Sequence, residues 1–203
     1  MEESTGSLWE QTTDVDYMRK EGRDTHPSYD WLNGRLVELY DDTVVDFLDC
    51  GVMSGTTYAK LKDTGLSCNY TGIDIGEPLL ESCRSRFPEA RWRYMSVTDL
   101  SFPSGAFDVV NCRHLLESLP YYETAVREMF RVARRHVAIC FFQPPRDPEA
   151  LLRRDTAGGY IWLNRYSPGP FEDLLAKLSD TVERIDISQG RRTDRMYFCT
   201  KSV

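Results

Sequence analysis

Apolar positions along the chain change period several times, and each change marks an element. Over 28–40, Leu32, Leu36 and Leu39 fall on one face, the spacing of an amphipathic helix, and Ser28 stands in capping position after Pro27. At 44–50 the pattern becomes a short apolar and β-branched run, Val44-Val45-Asp46-Phe47-Leu48-Asp49-Cys50, ended by glycine, which reads as a buried strand. A helix is predicted over 56–66, a strand over 69–75, and a helix over 78–87 with Pro78 in its first turn and Pro88 beyond its end. Strands follow over 90–97 and 106–112. A helix over 121–134 carries Val126, Met129, Phe130 and Ala133 on one stripe, and a strand over 136–142 stops at Pro144-Pro145. The last third differs. Residues 143–168 read as a loop-like insertion, 171–178 as a helix on Phe171, Leu174, Leu175 and Leu178, and 182–188 with 196–200 as an antiparallel hairpin turning at Gly190. Residues 1–27 are polar with anchors at Trp9, Tyr17 and Met18, a loose arm or short helical lid.

Strands alternating with helices from 44 to 142 predict an α/β fold, a Rossmann-like three-layer sandwich whose sheet is mostly parallel with right-handed crossovers. A length of 203 residues suits one domain with one sizeable core. The net charge of −7 argues against a partner held by its phosphates, so nucleic acid is not expected. Local arginine clusters (Arg84, Arg86, Arg91 and Arg93; Arg131, Arg134 and Arg135; Arg153 and Arg154) read as solvated faces or as a site for an acidic substrate group. None of the six cysteines is spaced as C-x-x-C or set near a histidine at ligand spacing, so no metal is expected. Cys50, Cys112 and Cys140 lie in apolar runs and read as small buried hydrophobes. The start, MEESTGSLWE, is acidic rather than signal-like, and no apolar stretch reaches membrane-span length. The expectation is a cytoplasmic chain without membrane insertion.

The chemistry concentrates after the first strand, in Asp49-Cys50-Gly51-Val52-Met53-Ser54-Gly55-Thr56. In an open α/β sheet, ligands bind at the carboxyl ends of strands. Glycine lets the backbone approach them, and the helix N-terminus behind offers free N–H groups. A dinucleotide fingerprint starting at Gly51 would need glycine at 53 and 56, where Met53 and Thr56 stand. Asp74 closes the second strand, where a carboxylate can accept both ribose hydroxyls, and Asp99 follows the third. Each acid also has a plainer reading, as a helix N-terminal or turn aspartate.

Taken together, Asp49-x-Gly51-x-x-x-Gly55 with Asp74 and Asp99 resembles the class I S-adenosylmethionine-dependent methyltransferases, with Met53 in place of the family's middle glycine. Phe102-Pro103-Ser104-Gly105-Ala106-Phe107-Asp108-Val109-Val110, Arg113-His114-Leu115-Leu116-Glu117-Ser118-Leu119-Pro120 and 127–134 resemble the stretches that follow in the family. The resemblance implies a seven-stranded sheet of order 3-2-1-4-5-7-6 with the last strand antiparallel. The single domain divides into an arm and helix lid (1–40), a cofactor-binding core (44–142), a substrate-side insertion (143–168), and a helix with the hairpin (169–203); the resemblance covers 44–142 closely and does not explain the arm or the insertion. It implies S-adenosylmethionine as cofactor and S-adenosylhomocysteine as product. The cofactor would be held by Asp49, Gly51, Met53, Gly55, Asp74, Ile75, Thr98, Asp99, Leu100, Asn111 and Cys112, with Asp99 toward the adenine amino group and its apolar neighbour on the ring.

Methyl transfer from a sulfonium is a direct displacement that needs alignment and exclusion of water, and a base if the nucleophile is a hydroxyl. His114, in the loop after the fourth strand, is the candidate base, or else a hydrogen-bonded packing histidine. Glu117 is a further carboxylate nearby, which on a helix could as well be solvated. Tyr17, Arg113, Tyr160, Trp162 and Tyr166 are candidates for the acceptor side; the aromatics after Gly158-Gly159 suit a lid. No Asn-Pro-Pro-Tyr or Pro-Cys follows the fourth strand, which leaves a small-molecule acceptor, through oxygen, as the expected partner; a homodimer is compatible with the sequence. The alternative is a non-catalytic methyltransferase-like domain that binds the cofactor or presents an interaction surface.

Overall fold

The computed structural model describes residues 8–12, 24–156 and 159–202. Helix α1 (Leu8–Gln11) and α2 (Ser28–Tyr40) precede an alternating series: β1 (Val45–Cys50), α3 (Thr56–Asp63), β2 (Cys68–Asp74), α4 (Glu77–Arg86), β3 (Arg91–Tyr94) and β4 (Phe107–Arg113). A 3₁₀ turn (Leu116–Ser118) leads to α5 (Glu123–Val132) and β5 (Ala133–Phe141). A small hairpin, β6 (Arg153–Thr156) with β7 (Gly159–Trp162), comes before α6 (Pro168–Leu178), β8 (Thr181–Gln189) and β9 (Arg192–Thr200).

The main sheet runs β3-β2-β1-β4-β5-β9-β8. Pairs up to β4–β5 are parallel, and β9 is antiparallel to both β5 and β8, so it alone is reversed. This is the strand order expected from the sequence. Neighbouring residues of the central strands enter opposite cores. Leu48, Val110 and Val137 pack with α5 and α6 through Met129, Phe130 and Phe171. Phe47, Val109 and Ala138 pack on the other face with Leu32, Leu61 and Leu80 of α2, α3 and α4. Burial on both faces is why these strands read as apolar runs rather than alternations. Cys50, Cys112 and Cys140 are buried among them as free thiols.

The structure differs from the sequence pattern at several places. The helix expected over 121–134 ends at Val132, so that Ala133 opens β5, and the last strand begins at Arg192 where 196 was expected. The third strand is shorter than 90–97, since only Trp92 of β3 is buried and the strand forms an edge. The insertion carries the β6–β7 hairpin; Arg153, Arg154 and Asp155 are exposed and give no apolar period to reveal a strand. Ser28 makes no helix-capping bond; its hydroxyl turns inward to Asp194.

Reversal of β9 brings its start, rather than its end, to the rim formed by the carboxyl ends of β1, β2, β4 and β5. Register fixes this, because Phe141 at the end of β5 pairs with Arg195, leaving Arg192–Asp194 beyond it. Over the other half of the rim, α1 packs against β7 and α4, so the arm meets the insertion there. Gly76 makes the approach possible, since a Cβ at that position would stand 2.9 Å from the carbonyl oxygen of Trp9.

Gly72, inside β2, has no room for a side chain: a Cβ would lie 2.6 Å from the Trp92 ring and 2.7 Å from Val52. Gly72→Ala is expected to destabilise the fold by roughly 1–3 kcal/mol through overpacking, read from urea denaturation. Unchanged stability would show that Trp92 repacks freely.

Candidate functional site

The loop after β1 turns through three left-handed residues, Gly51 (φ 77°), Met53 (φ 48°) and Gly55 (φ 74°). Met53 therefore occupies a conformation that glycine adopts more readily. The loop is tied to β2 by the Gly51 and Val52 N–H groups, which donate to the Ile73 carbonyl at 2.9 and 3.2 Å, and by the Met53 N–H, which donates to Asp74 Oδ2 at 2.9 Å. The other oxygen of Asp74 accepts the Gly76 N–H at 2.9 Å. Asp74 thus braces two loops. Burial pushes its carboxyl above the usual range, against the pull of those backbone donors.

The other two acids are placed differently. Asp49 is buried between strands, where its carboxylate accepts from Tyr70 Oη at 2.5 Å and Asn111 Nδ2 at 2.6 Å. Burial raises its pKa to about 6 despite both bonds. The Asn111 Oδ1 oxygen is buried with no partner among the described residues. Asp99 is exposed in the turn after β3. Beside it, Thr98 Oγ1 lies 2.8 Å from Ser96 Oγ, and buried Leu100 donates its N–H to Glu128 at 3.0 Å. Ile75 is half-buried and Cys112 is buried in β4. The three acids follow successive strands along one rim, but only Asp99 is exposed.

A second centre forms around Asp194, which the sequence reading did not single out. Its Oδ2 accepts from Ser28 Oγ (3.0 Å), Arg113 (3.0 Å), His114 Nε2 (2.9 Å) and Arg192 (3.2 Å), and Oδ1 accepts from Arg192 Nε (2.8 Å). His26 Nδ1 lies 3.2 Å away and 2.7 Å from Ser28 Oγ. Burial alone would raise the Asp194 carboxyl, but the His114 bond and the charges around it hold it far below the carboxylate range. A carboxylate only accepts, so His114 Nε2 carries the proton and Nδ1 keeps its lone pair. That Nδ1 is buried with no partner among the described residues. Burial, and next the Arg113 charge, lower the pKa of His114 to about 3. Arg113 is itself buried, with its guanidinium 3.8 Å from the centre of the Tyr29 ring.

His114 Nε2, Cys140 Sγ and Asp194 Oδ2 lie within 4.8 Å of one another, a donor set suited to a soft cation. Arg113 and Arg192 already neutralise the carboxylate and would repel such an ion.

Glu117 is fully buried in the 3₁₀ turn rather than solvated. Its Oε1 accepts the N–H groups of Phe142 (2.8 Å) and Gln143 (3.3 Å), joining the loops after β4 and β5. Asn164 joins the insertion to the same turn: its N–H donates to the Glu117 carbonyl at 2.8 Å and its Nδ2 to the Leu119 carbonyl at 2.5 Å. Tyr166 is a core residue whose hydroxyl engages the carbonyls of Leu116 and Leu119. Tyr160 and Trp162 are half-buried on β7, and the Arg153 guanidinium sits 4.4 Å from the centre of the Tyr160 ring. Tyr17 and Met18 lie outside the described residues. Asp194, Arg192 and Asn164 escaped the sequence reading because most of the contacts that join them to the rim are remote in the chain. The one local signal is an acid set among arginines in Arg191-Arg192-Thr193-Asp194-Arg195.

An open, mostly parallel sheet with a left-handed glycine bend and an acid after β2 defines a nucleoside-binding α/β protein of the Rossmann-like class. Residues 48–141 match the family model described as "Methyltransferase domain". The chain is 30% identical over 149 residues to a demethylmenaquinone methyltransferase of Thermus thermophilus, covering 63% of this chain and 67% of that one. It is 28% identical over 111 residues to a demethylmenaquinone methyltransferase of Lactococcus lactis subsp. lactis, covering 51% of this chain and 44% of that one. In fold it is similar to a magnesium protoporphyrin IX methyltransferase from Synechocystis PCC 6803, solved with bound S-adenosylmethionine. The TM-score is 0.70 at 14% identity, over 95% of this chain and 86% of that one. The chain belongs to the class I S-adenosylmethionine-dependent methyltransferase family. Among the described residues, no helix is long and apolar enough to cross a membrane.

Burial raises the pKa of Glu117 from 4.5 to about 7, against backbone donors that lower it. A raised folded pKa means that its stabilising contribution is complete below pH 4.5 and is lost as pH rises through about 7. Glu117→Gln should therefore gain stability relative to the parent between pH 5 and pH 8, by roughly 3 kcal/mol at most, in denaturant melts at both pH values. A gap that does not change with pH would contradict the assignment.

Proposed function

We propose that the chain transfers the methyl group of S-adenosylmethionine to an oxygen nucleophile of a small molecule in the cytoplasm. The observation that carries the reading is His114: a neutral imidazole at the carboxyl end of β4, its tautomer set by Asp194 and its Nδ1 lone pair unpartnered among the described residues. An imidazole oriented by a carboxylate, with its second nitrogen available, is the arrangement of a general base. With its pKa lowered to about 3, His114 is a weak base, so this reading requires an acceptor whose hydroxyl is itself acidic, such as a phenol or enol.

The cofactor side fits a nucleoside with an amino-acid tail. Asp74, the acid at the end of β2, would accept from the ribose hydroxyls, and the unpartnered Asn111 Oδ1 suits the tail's ammonium group. Asp49 acts through Asn111, which it holds in place. Gly51, Met53 and Gly55 shape the bend for the tail; Thr98, Asp99 and Leu100 face the adenine, with Ile75 and Cys112 as apolar neighbours. Bound there, the cofactor supplies a methyl group on a sulfonium, already activated toward displacement. Arg113 holds Asp194 and so positions His114, and β7, which carries Tyr160 and Trp162, meets the arm over the cofactor half of the rim. The relatives' acceptors, demethylmenaquinone and magnesium protoporphyrin IX, are small molecules, which supports the same class here.

Two measurements test the reading. Asp74→Ala should weaken S-adenosylmethionine binding by roughly 1–3 kcal/mol, the cost of charge-assisted hydrogen bonds, by isothermal titration; unchanged affinity would remove Asp74 from the site. His114→Gln should lower kcat about 10²-fold or more, followed as S-adenosylhomocysteine release, while cofactor affinity holds. Undiminished turnover would leave His114 a packing residue.

A further inference from the structure

Beside the acceptor side of the rim lies a cavity of about 590 Å³, lined by Arg146, Arg165, Arg191, Arg192 and Arg195. Five cationic side chains around one hollow are unexpected in a chain whose net charge is −7. Two are neutralised within the protein. Arg195 forms a two-pronged pair with Asp186 at 2.6 and 2.8 Å, and Arg192 pairs with Asp194. The other three have no ion pair among the described residues. Arg165 donates only to the Pro148 carbonyl, at 2.9 and 3.2 Å. Arg146 and Arg191 are exposed at the mouth. The nearby acids face elsewhere, since Asp147 accepts from Ser167 Oγ and Glu149 from the Ser167 N–H. Three of the five arginines around the hollow therefore have no ion-pair partner among the described residues.

Its remaining wall combines the apolar Phe142, Pro144 and Pro145 with the polar Gln143 and Thr193. Phe142 stands edge-on to the His114 ring, with centroids 5.4 Å apart, and Arg192 Nη2 lies 3.3 Å from His114 Nε2. The cavity thus opens next to the proposed base. It is three strand positions from β1, about 14 Å at the usual strand spacing, far enough to be separate from the glycine bend. Its volume falls within the range of small-molecule sites, and guanidinium forks match carboxylate and phosphoryl oxygens in pairs.

We propose that this arginine-lined cavity is the acceptor-recognition site and that the acceptor is a small molecule carrying carboxylate or phosphoryl groups on an apolar body. The inference rests on the methyl-transfer reading for its role, though not for its ligand chemistry. The anionic groups take the arginines, the apolar body lies along Phe142, Pro144 and Pro145, and the reacting oxygen comes to His114.

The test uses the whole chain and two probes, inorganic pyrophosphate and citrate, titrated calorimetrically at low ionic strength. The parent and Arg146→Ala/Arg191→Ala are compared, and S-adenosylmethionine is titrated into both. Neither arginine has an ion-pair partner to lose, so the variant should fold, as circular dichroism will show. At least one probe should bind the parent and bind the variant about tenfold or more weakly, as expected for lost charge-assisted contacts. Preference for pyrophosphate assigns a phosphoryl group, and preference for citrate a carboxylate. No binding of either probe, or equal binding to the variant, overturns the proposal. So does arginine-dependent binding of a single-stranded RNA oligomer when neither probe binds. Probe binding without S-adenosylmethionine binding would sink the methyl-transfer reading and leave the anion site standing.

Discussion

The buried carboxylate of Asp194 is the constraint on which the acceptor half of the molecule depends. A charge withdrawn from water is tolerated only when paired and fully hydrogen-bonded. Here the partners come from two distant parts of the chain, His26 and Ser28 before and at the start of α2 and Arg113 and His114 at the end of β4, and from Arg192 close beside Asp194. Loss of an arginine would leave the buried carboxylate less compensated, and loss of Ser28 or His114 would remove one of its hydrogen bonds, so the segment before α2, the loop after β4 and the reversed strand are fixed together. The same bonds determine which nitrogen of His114 bears hydrogen. Folding and the state of the proposed base are thus settled by one group.

The rest of the rim works differently. Around the glycine bend, backbone N–H groups and carboxylates engage one another directly. Asp74 spans Met53 and Gly76, and Asp49 grips Asn111 through a side chain shared between adjacent strands. Little must be reorganised for a nucleoside to be received. Glu117 and Asn164 form the seam between the halves, tying the turn after β4 to the start of the loop after β5 and to the insertion.

Much of this was legible in the sequence wherever the signal is local. The apolar runs of β1, β2, β4 and β5 announce strands buried on both faces, and Gly51, Gly55, Asp74 and Asp99 fall where a strand-to-helix turn puts them. The hairpin was also readable, from the turn at Gly190, and the reversal of its last strand followed from the family resemblance. What was not legible depends on pairing across the chain. Ser28 looks like a helix cap until its hydroxyl is seen beside a residue 166 positions away. Glu117 looks solvated because its period places it on a surface, whereas the turn around it directs it inward. The β6–β7 hairpin has no apolar alternation, and Tyr166, an aromatic beside a presumed lid, proves to be a core anchor. The arginines of the cavity are scattered from 146 to 195 and form a cluster only after β9 is laid against β5.

The placement of β9 gives the sheet two independent sides. The proposed donor contacts come from β1, β2, the loop after β3 and the end of β4, whereas the cationic hollow is built from the segments that follow β5 and from the start of β9. Changes of length or charge around the turn at Gly190 would therefore retune which compound is modified while leaving the grip on the methyl source intact. This modularity would let one scaffold serve different chemical customers by redrawing a single edge.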